Sequence, residues 1–356
     1  MKSKVFFVRV SNSDDKEAIV LKFSHLLDKS NLLNFIKRGD RLAVKMHFGE
    51  EGNTGFVSPE YVGIICNKIS QKQAIPFLID TNTLYRGKRT NSKDHLKLAY
   101  EHGFTKEIVG ADILIPDDTN KENTTEIAIN QKFIKKAKIS TPIFKAKAIV
   151  SVAHFKGHMM TGFGGALKNI GMGCASREGK LAQHCDISPY VIIERCTDCS
   201  QCVVVCPSGA INVMNKKSFI DSRKCIGCAS CISACLYNAI EVDWESGADN
   251  IQEKMIEYAF AVLKDKRERL AFINFAIKIT KECDCLAKDD PRISSDVGIF
   301  VSKDPVSIDK ASLDLINKTC QKDIFKEAHP KRNGLKQLQY AFELGLGNLD
   351  YELIEV

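Results

Sequence analysis

The sequence predicts an α/β protein with a mostly parallel sheet and flanking helices, interrupted by a small cysteine-rich insert. Three observations carry that expectation. Short runs rich in Val, Ile and Phe alternate with amphipathic stretches of helical spacing through the first half of the chain. The same alternation resumes after residue 245. Between the two halves, eight of the fourteen cysteines fall within residues 196–235. The economical organisation is one α/β domain whose halves, 1–187 and 246–356, flank an inserted α+β module at 188–245. Two separate flanking domains are disfavoured, because no Pro/Ser-rich linker marks a boundary.

Taken in order, "KVFFVRV" (4–10) reads as a strand and "DDKEAIVLKFSHLLDKSNLLNFIK" (14–37) as a helix. "RLAVKMHF" (41–48) reads as a strand, and "SPEYVGIICNKISQ" (58–71) as a helix with Ser58 at the N-cap and Pro59 at the first helical position. "IPFLID" (75–80, strand), "SKDHLKLAYEHGF" (92–104, helix closed by Gly103), "ADILIP" (111–116, strand) and "KAIVSVAHF" (147–155, strand) follow. In the second half come a helix at 250–266, strands at 270–280 and 296–302, a helix at 304–318 with Asp304 near its cap, and a helix at 334–345. Strand–helix alternation at this spacing is the signature of a parallel sheet with helices packed on it.

Composition bounds the function. Hydrophobic residues make up 44% and charged residues 27%, as expected of a chain that buries a real core. The N-terminus lacks the apolar stretch of a signal peptide, and no apolar run approaches a membrane span. The expected location is the cytoplasm, where clustered cysteines are metal ligands or redox groups rather than disulfides. The formal charge is +7, but the lysines are scattered, and their densest run, "KKAKISTPIFKAK" (135–147), reads as a solvated face. Neither nucleic acid nor a membrane is an expected partner. "GFGG" (162–165) has neither the Rossmann nor the P-loop spacing, which argues against NAD and ATP.

"CTDCSQCVVVCPSGAI" (196–211) and "CIGCASCISACLYNAI" (225–240) superpose at an offset of 29. Each carries C-x2-C-x2-C-x3-C, in which three thiolates grip one iron–sulfur cube and the fourth crosses to the other. One 4Fe-4S cluster is thus expected on Cys196, Cys199, Cys202 and Cys235. A second is expected on Cys225, Cys228, Cys231 and Cys206. A zinc ribbon would need four such ligands, not eight in matched triplets with remote fourths. The stretch resembles the bacterial two-cluster ferredoxin module, including Pro207 after the first set, and departs from it at Leu236, where the second proline would stand.

Outside the insert, the densest constellation runs from residue 151 to 184. His154, Lys156 and His158 alternate and would face one side of an extended segment. Gly162, Gly164 and Gly165 would let backbone approach a ligand, and Lys168 and Asn169 open the helix that follows. The blander alternative is a tight strand-to-helix turn with unremarkable histidines. Convergence past a strand's C-terminal end, where α/β sheets place ligands, favours a site with Lys168, His158, His154 and Lys156 as its catalytic groups. Lys45 and His47 end another strand, and Thr83 and Arg89 follow a third, so these join as weaker candidates. Cys283 and Cys285 suit an additional metal or a redox role, or are inert. Cys66 and Cys320 read as core, and Cys174 and Cys185 fit either role.

"HFKGHMMTGFGGALKNIGMGC" (154–174), "CDC" (283–285) and "DVGIFVSKDPVSIDKAS" (296–312) resemble the family known as domain of unknown function 362, often fused to a ferredoxin module. The resemblance implies an α/β fold and an iron–sulfur oxidoreductase role with no established substrate. A fainter likeness is to lactate racemases carrying a nickel-pincer nucleotide, in which a His is followed by a Lys ten residues on and a His sixteen further. His158, Lys168 and His184 have that spacing. That likeness implies that Lys168 tethers the cofactor, His184 ligates its metal and His158 shuttles a proton. The family's other catalytic histidine has no counterpart, and "NTLYRG" (82–87) occupies its region.

The expected function is therefore a redox enzyme passing electrons from two clusters to an anionic substrate or metal in the α/β domain. The alternatives are an electron carrier or assembly factor that docks a redox partner protein, and a metal-pincer isomerase.

Overall fold

The computed structural model describes residues 2–117, 120–184, 188–243 and 249–356. Eight segments assemble into one sheet: β1 (Ser3–Arg9), β2 (Arg41–Lys45), β3 (Ile75–Ile79), β4 (Asp112–Leu114), β5 (Ala148–His154), β6 (Leu270–Ala276), β7 (Gly298–Ser302) and β8 (Tyr351–Glu355). Their order is β8-β1-β7-β6-β5-β2-β3-β4, so both halves of the chain supply strands. From β6 to β4 all pairs are parallel, as is β1 with β8. Only β7 runs antiparallel to its two neighbours. The central strands β5 and β6 are buried along their whole length, which is why they read as unbroken apolar runs.

The period-two alternation sorts each strand between two cores. Leu42 and Val44 of β2 and Val150 and Val152 of β5 face α1 (Lys16–Ser30), α2 (Pro59–Gln71) and α3 (Ser92–Glu101). Ala43, Ile149 and Phe272 face the other side, where α4 (Ala166–Gly171), α5 (Arg177–His184), α6 (Ile251–Leu263) and α7 (Pro305–Cys320) lie. The mixed α/β fold with a large, mostly parallel sheet agrees with the sequence. Among the described residues, no helix is long and apolar enough to cross a membrane.

Several elements differ from expectation for local reasons. α1 stops at Ser30 because Asn31 turns left-handed (φ 53°), although Leu32 and Leu33 still pack into the core. β6 stops at Ala276, and Lys278 at φ 50° turns the chain toward Cys283. The lysine-rich run is half strand: Lys136–Ser140 pairs with Thr124–Ala128, turning Ala137 and Ile139 inward. The edge strand β8 has no strong apolar signature and was not foreseen.

The cysteine-rich segment forms small sheets of its own. Tyr190–Val191 pairs with Ile240–Glu241, and Ile211–Met214 with Lys217–Ile220, flanking short helices at Gln201–Val204 and Ser230–Ala234. The offset of 29 recurs in the backbone. Left-handed residues fall at Asp198 and Gly227, Ser200 and Ala229, and Gly209 and Asn238. Cys185 and the segment borders expected at 187 and 245 lie outside the described residues.

One buried carboxylate holds α4 in place. Asp309 of α7 accepts from the Ala166 and Leu167 N–H groups at 2.7 and 2.9 Å and from Asn274 Nδ2 at 2.7 Å. Burial pushes its carboxyl up to about 6, despite those donors. Its stabilising contribution is therefore complete below the unfolded value near pH ~4 and is lost as pH rises through about 6. The stability difference between wild type and Asp309→Asn, followed by thermal melting, should shift toward the variant as pH rises across that window.

Candidate functional site

The C-terminal ends of β2, β3 and β5 and the loop after β6 border a cavity of about 460 Å³, roofed by α4, α5 and α6. This is where open parallel sheets bind ligands. Its first wall is built of ions. Lys45, almost wholly buried, directs its ammonium to Asp80 (3.0 Å), Asn169 Oδ1 (3.0 Å) and the Met46 carbonyl (2.9 Å). Burial alone would raise the Asp80 carboxyl, but Lys45, His95, Lys180 and Arg89 hold it below its ordinary value. Arg89 meets Glu50 at 3.1 Å, His47 Nε2 at 2.7 Å and the Tyr85 hydroxyl at 2.8 Å. Tyr85 in turn donates to the Cys285 carbonyl at 2.7 Å.

The second wall is the loop after β6. Asp284 is buried between Lys156 Nζ at 2.6 Å and His154 Nδ1 at 3.0 Å, while His154 Nε2 reaches the Ile277 carbonyl at 2.8 Å. Burial opposes the Asp284 charge, yet Lys156 and His154 hold the carboxyl well below the carboxylate range. Its neighbours Cys283 and Cys285 both line the cavity. Lys168 Nζ lies 3.4 Å from Cys283 Sγ. The hydrogen bond from Cys285, with Lys168 working against burial, holds the Cys283 thiol well below its usual range. The same bond and burial push Cys285 up.

His158 sits on a hairpin, Lys156–His158 paired with Gly162–Gly164. The Met160 and Thr161 N–H groups lie 3.2 and 3.3 Å from its Nδ1, and Thr161 Oγ1 lies 3.1 Å away. Among the described residues, His158, Cys283 and Cys285 bring their donor atoms within 4.8 Å of one another. His47 and His158 are pushed well below the imidazole range, and His184 down to about 3, each by burial first and then by neighbouring cations. All three rings are neutral, and the cavity's field is positive. Five cations (Lys45, Arg89, Lys156, Lys168, Lys180) line it, against the carboxylates of Glu50, Asp80 and Asp284 that meet them.

The structure thus gathers His154, Lys156, His158, Lys168, Asn169, Lys45, His47, His184, Thr83, Arg89, Cys283 and Cys285 around one cavity. His154 and Lys156 line it while also bonding Asp284. Asn169 links α4 to the sheet, donating to the Lys45 carbonyl and to Ser151 Oγ. Gly164 and Gly165 line the cavity, and the glycines also make room for protein. A Cβ on Gly164 would meet Lys168 Cδ at 2.8 Å, one on Gly165 would meet Asp309 Oδ1 at 2.3 Å, and Gly162 (φ 79°) packs on Gly334 away from the cavity. His158, not His184, joins the two thiols, because the hairpin carries it over their loop. The acids Glu50, Asp80 and Asp284, and Tyr85, were missed. Asp284 had no periodic signal, because it sits in a turn closed by the Leu286 N–H on the Cys283 carbonyl at 3.1 Å.

In the duplicated segment, Cys196, Cys199, Cys202 and Cys235 line one small cavity, the last of them supplied by the other repeat. Burial, then the thiols of Cys228, Cys225, Cys202 and Cys206 around it, push Cys231 up to about 12. Backbone N–H groups point at sulfur at matching places in the repeat, Ala210 at Cys206 (3.3 Å) and Ala239 at Cys235 (3.2 Å). No disulfide links the described cysteines. The segment rests on the main cavity's wall: Arg177 of α5 donates to Ser233 Oγ at 3.1 Å, Arg86 bonds the Leu236 carbonyl, and Leu84 and Leu181 pack with Cys202, Cys231 and Cys235.

Fold and site together define an α/β protein with a buried, cation-lined cavity and a cysteine-rich segment packed against it. The chain belongs to the family described as Domain of unknown function (DUF362), whose match spans residues 42–314 and so takes in both features. No curated protein matches it. Two solved structures show a distant likeness. The lactate racemase apoprotein from Thermoanaerobacterium thermosaccharolyticum has a TM-score of 0.41 at 16% identity, covering 78% of this chain and 51% of that one. A protein from Thermotoga maritima has a TM-score of 0.39 at 13% identity, covering 88% and 60%. The chain spans little more than half the length of these structures.

Asp284→Asn leaves the Lys156 ammonium buried without its carboxylate and should cost about 3–5 kcal/mol. Urea unfolding of the variant, with partial recovery in Asp284→Asn/Lys156→Met, checks this.

Proposed function

We propose that this protein is an iron–sulfur redox enzyme acting on a small anionic molecule held in the main cavity. The single observation that carries the reading is the shared cavity of Cys196, Cys199, Cys202 and Cys235, in which the fourth sulfur comes from the opposite repeat. The residues fit two 4Fe-4S clusters, one on these four and one on Cys225, Cys228, Cys231 and Cys206. Bound there, such clusters supply single electrons at potentials set by their hydrogen bonds and exposure. The N–H groups of Ala210 and Ala239 directed at sulfur are bonds of that kind. Leu84 lines the main cavity and belongs to the same buried cluster as Cys202 and Cys231, so the two regions abut.

In the cavity, the cations favour an anion, and Lys168, whose Nζ lies 3.4 Å from Cys283 Sγ, is the one placed beside the two sulfurs to meet it. His158 lines the same cavity. A second reading, a metal-pincer isomerase, draws on His158, Lys168 and His184 lining one cavity. It expects about one nickel per chain and a mass adduct on Lys168, whereas the redox reading expects neither.

Protein isolated without oxygen should carry about eight iron and eight sulfide per chain, and Cys235→Ser about four of each with the other cluster retained. A colourless protein holding zinc at these cysteines excludes the reading. Lys168→Ala should keep its iron while losing turnover of carboxylates with a chemical electron donor, and an undiminished rate removes the cavity as the site.

A further inference from the structure

We infer that His158, Cys283 and Cys285 form a mononuclear site for a late first-row divalent ion, zinc foremost, with its fourth coordination position open to the main cavity. The inference is independent of whether the duplicated cysteines hold iron.

Donor chemistry and spacing come first. Two sulfurs and one imidazole are a ligand set of catalytic zinc, in which three protein ligands leave one position for water or substrate. Tetrahedral zinc with Zn–S near ~2.3 Å places two sulfurs about 3.8 Å apart. The three donors here already lie within 4.8 Å of one another, so closure needs only small side-chain movement. A carboxylate-rich site would suit magnesium or calcium; a thiolate pair selects softer ions.

The surroundings supply what a metal site needs beyond its ligands. Cys283 and Cys285 are held by the residue between them, since Asp284 is clamped by Lys156 and His154 and the Cys285 carbonyl by Tyr85. Both sulfurs therefore face the cavity without an ordering cost at the moment of binding. A ligating histidine also needs its other nitrogen oriented. Thr161 Oγ1 lies 3.1 Å from His158 Nδ1 and donates its own proton to the Phe163 carbonyl at 2.7 Å, so it can accept Nδ1–H and leave Nε2 for the metal. In this structure the Met160 and Thr161 amides donate to that Nδ1, so metal binding at Nε2 moves the ring proton to Nδ1 and gives up these two long bonds. Charge balances as well: two thiolates neutralise the divalent ion, and Lys168, 3.4 Å from Cys283, stands beside the open position to meet an anionic fourth ligand.

The test uses the full-length protein, isolated without oxygen and dialysed against zinc chloride. One zinc per chain should bind beyond the iron, and zinc-edge X-ray absorption should show two sulfurs near ~2.3 Å and one nitrogen near ~2.0 Å. Cys283→Ser/Cys285→Ser should lose that zinc with iron and sulfide unchanged, and Thr161→Val should weaken zinc binding about 10–100-fold. Should the double variant not fold, His158→Gln carries the same expectation of lost zinc. Zinc retained by these variants, a shell of four sulfurs, no zinc above background, or a metal held through a Lys168 adduct would each overturn the assignment. Iron-free protein that still binds one zinc at these residues would sustain it while excluding the redox reading.

Discussion

A carboxylate shielded from water, Asp284, organises the candidate site. Burying a charge costs several kcal/mol per ion unless a partner of good geometry compensates, and Asp284 has two, the Lys156 ammonium and the His154 ring. Because His154 closes β5 and also bonds the Ile277 carbonyl just beyond β6, the network locks the ends of two adjacent strands to the loop that carries the cysteines. The same device recurs across the sheet. Lys45 joins β2 to Asp80 and Asn169, and Arg89 joins His47 to Glu50. Rigid walls follow from ion pairs whose separation would leave a bare charge in the interior.

This arrangement changes what the cavity's charges mean. Most of its cations are structural, each saturated by protein acceptors, and what reaches the interior is their summed field rather than their individual hydrogen bonds. That field, with burial, keeps His47, His158 and His184 neutral. At Cys283 the hydrogen bond from Cys285 acts first, and the field of Lys168 and Lys156 then helps it hold the thiol below its usual range against burial.

Much of this was legible in the sequence because it is periodic. Strand and helix patterns located the sheet, the offset of 29 exposed a duplication that the backbone repeats, and strand ends pointed to Lys45, His47, His154 and Arg89 as neighbours. Pairing was not legible. His154 and Lys156 look like catalytic groups until Asp284, an isolated acid some 130 residues away, is seen between them. Nothing local distinguishes His158 from His184 as the partner of two thiols in another loop. Asp309 and Gly165, far apart in the chain, explain each other only in three dimensions. β8, with few inward-facing apolar residues, borrows its strand conformation from the edge it covers.

The place of β1 in the sheet bears on how the chain matures during synthesis. Its two hydrogen-bonding neighbours, β7 and β8, are translated some 290 to 350 residues after its Val5, Phe7 and Val8. Partnerships so distant are slow to form and leave sticky segments waiting. The duplicated cysteines are translated in the meantime, and the pairings inside their segment, at most some 50 residues apart, can close before the sheet does.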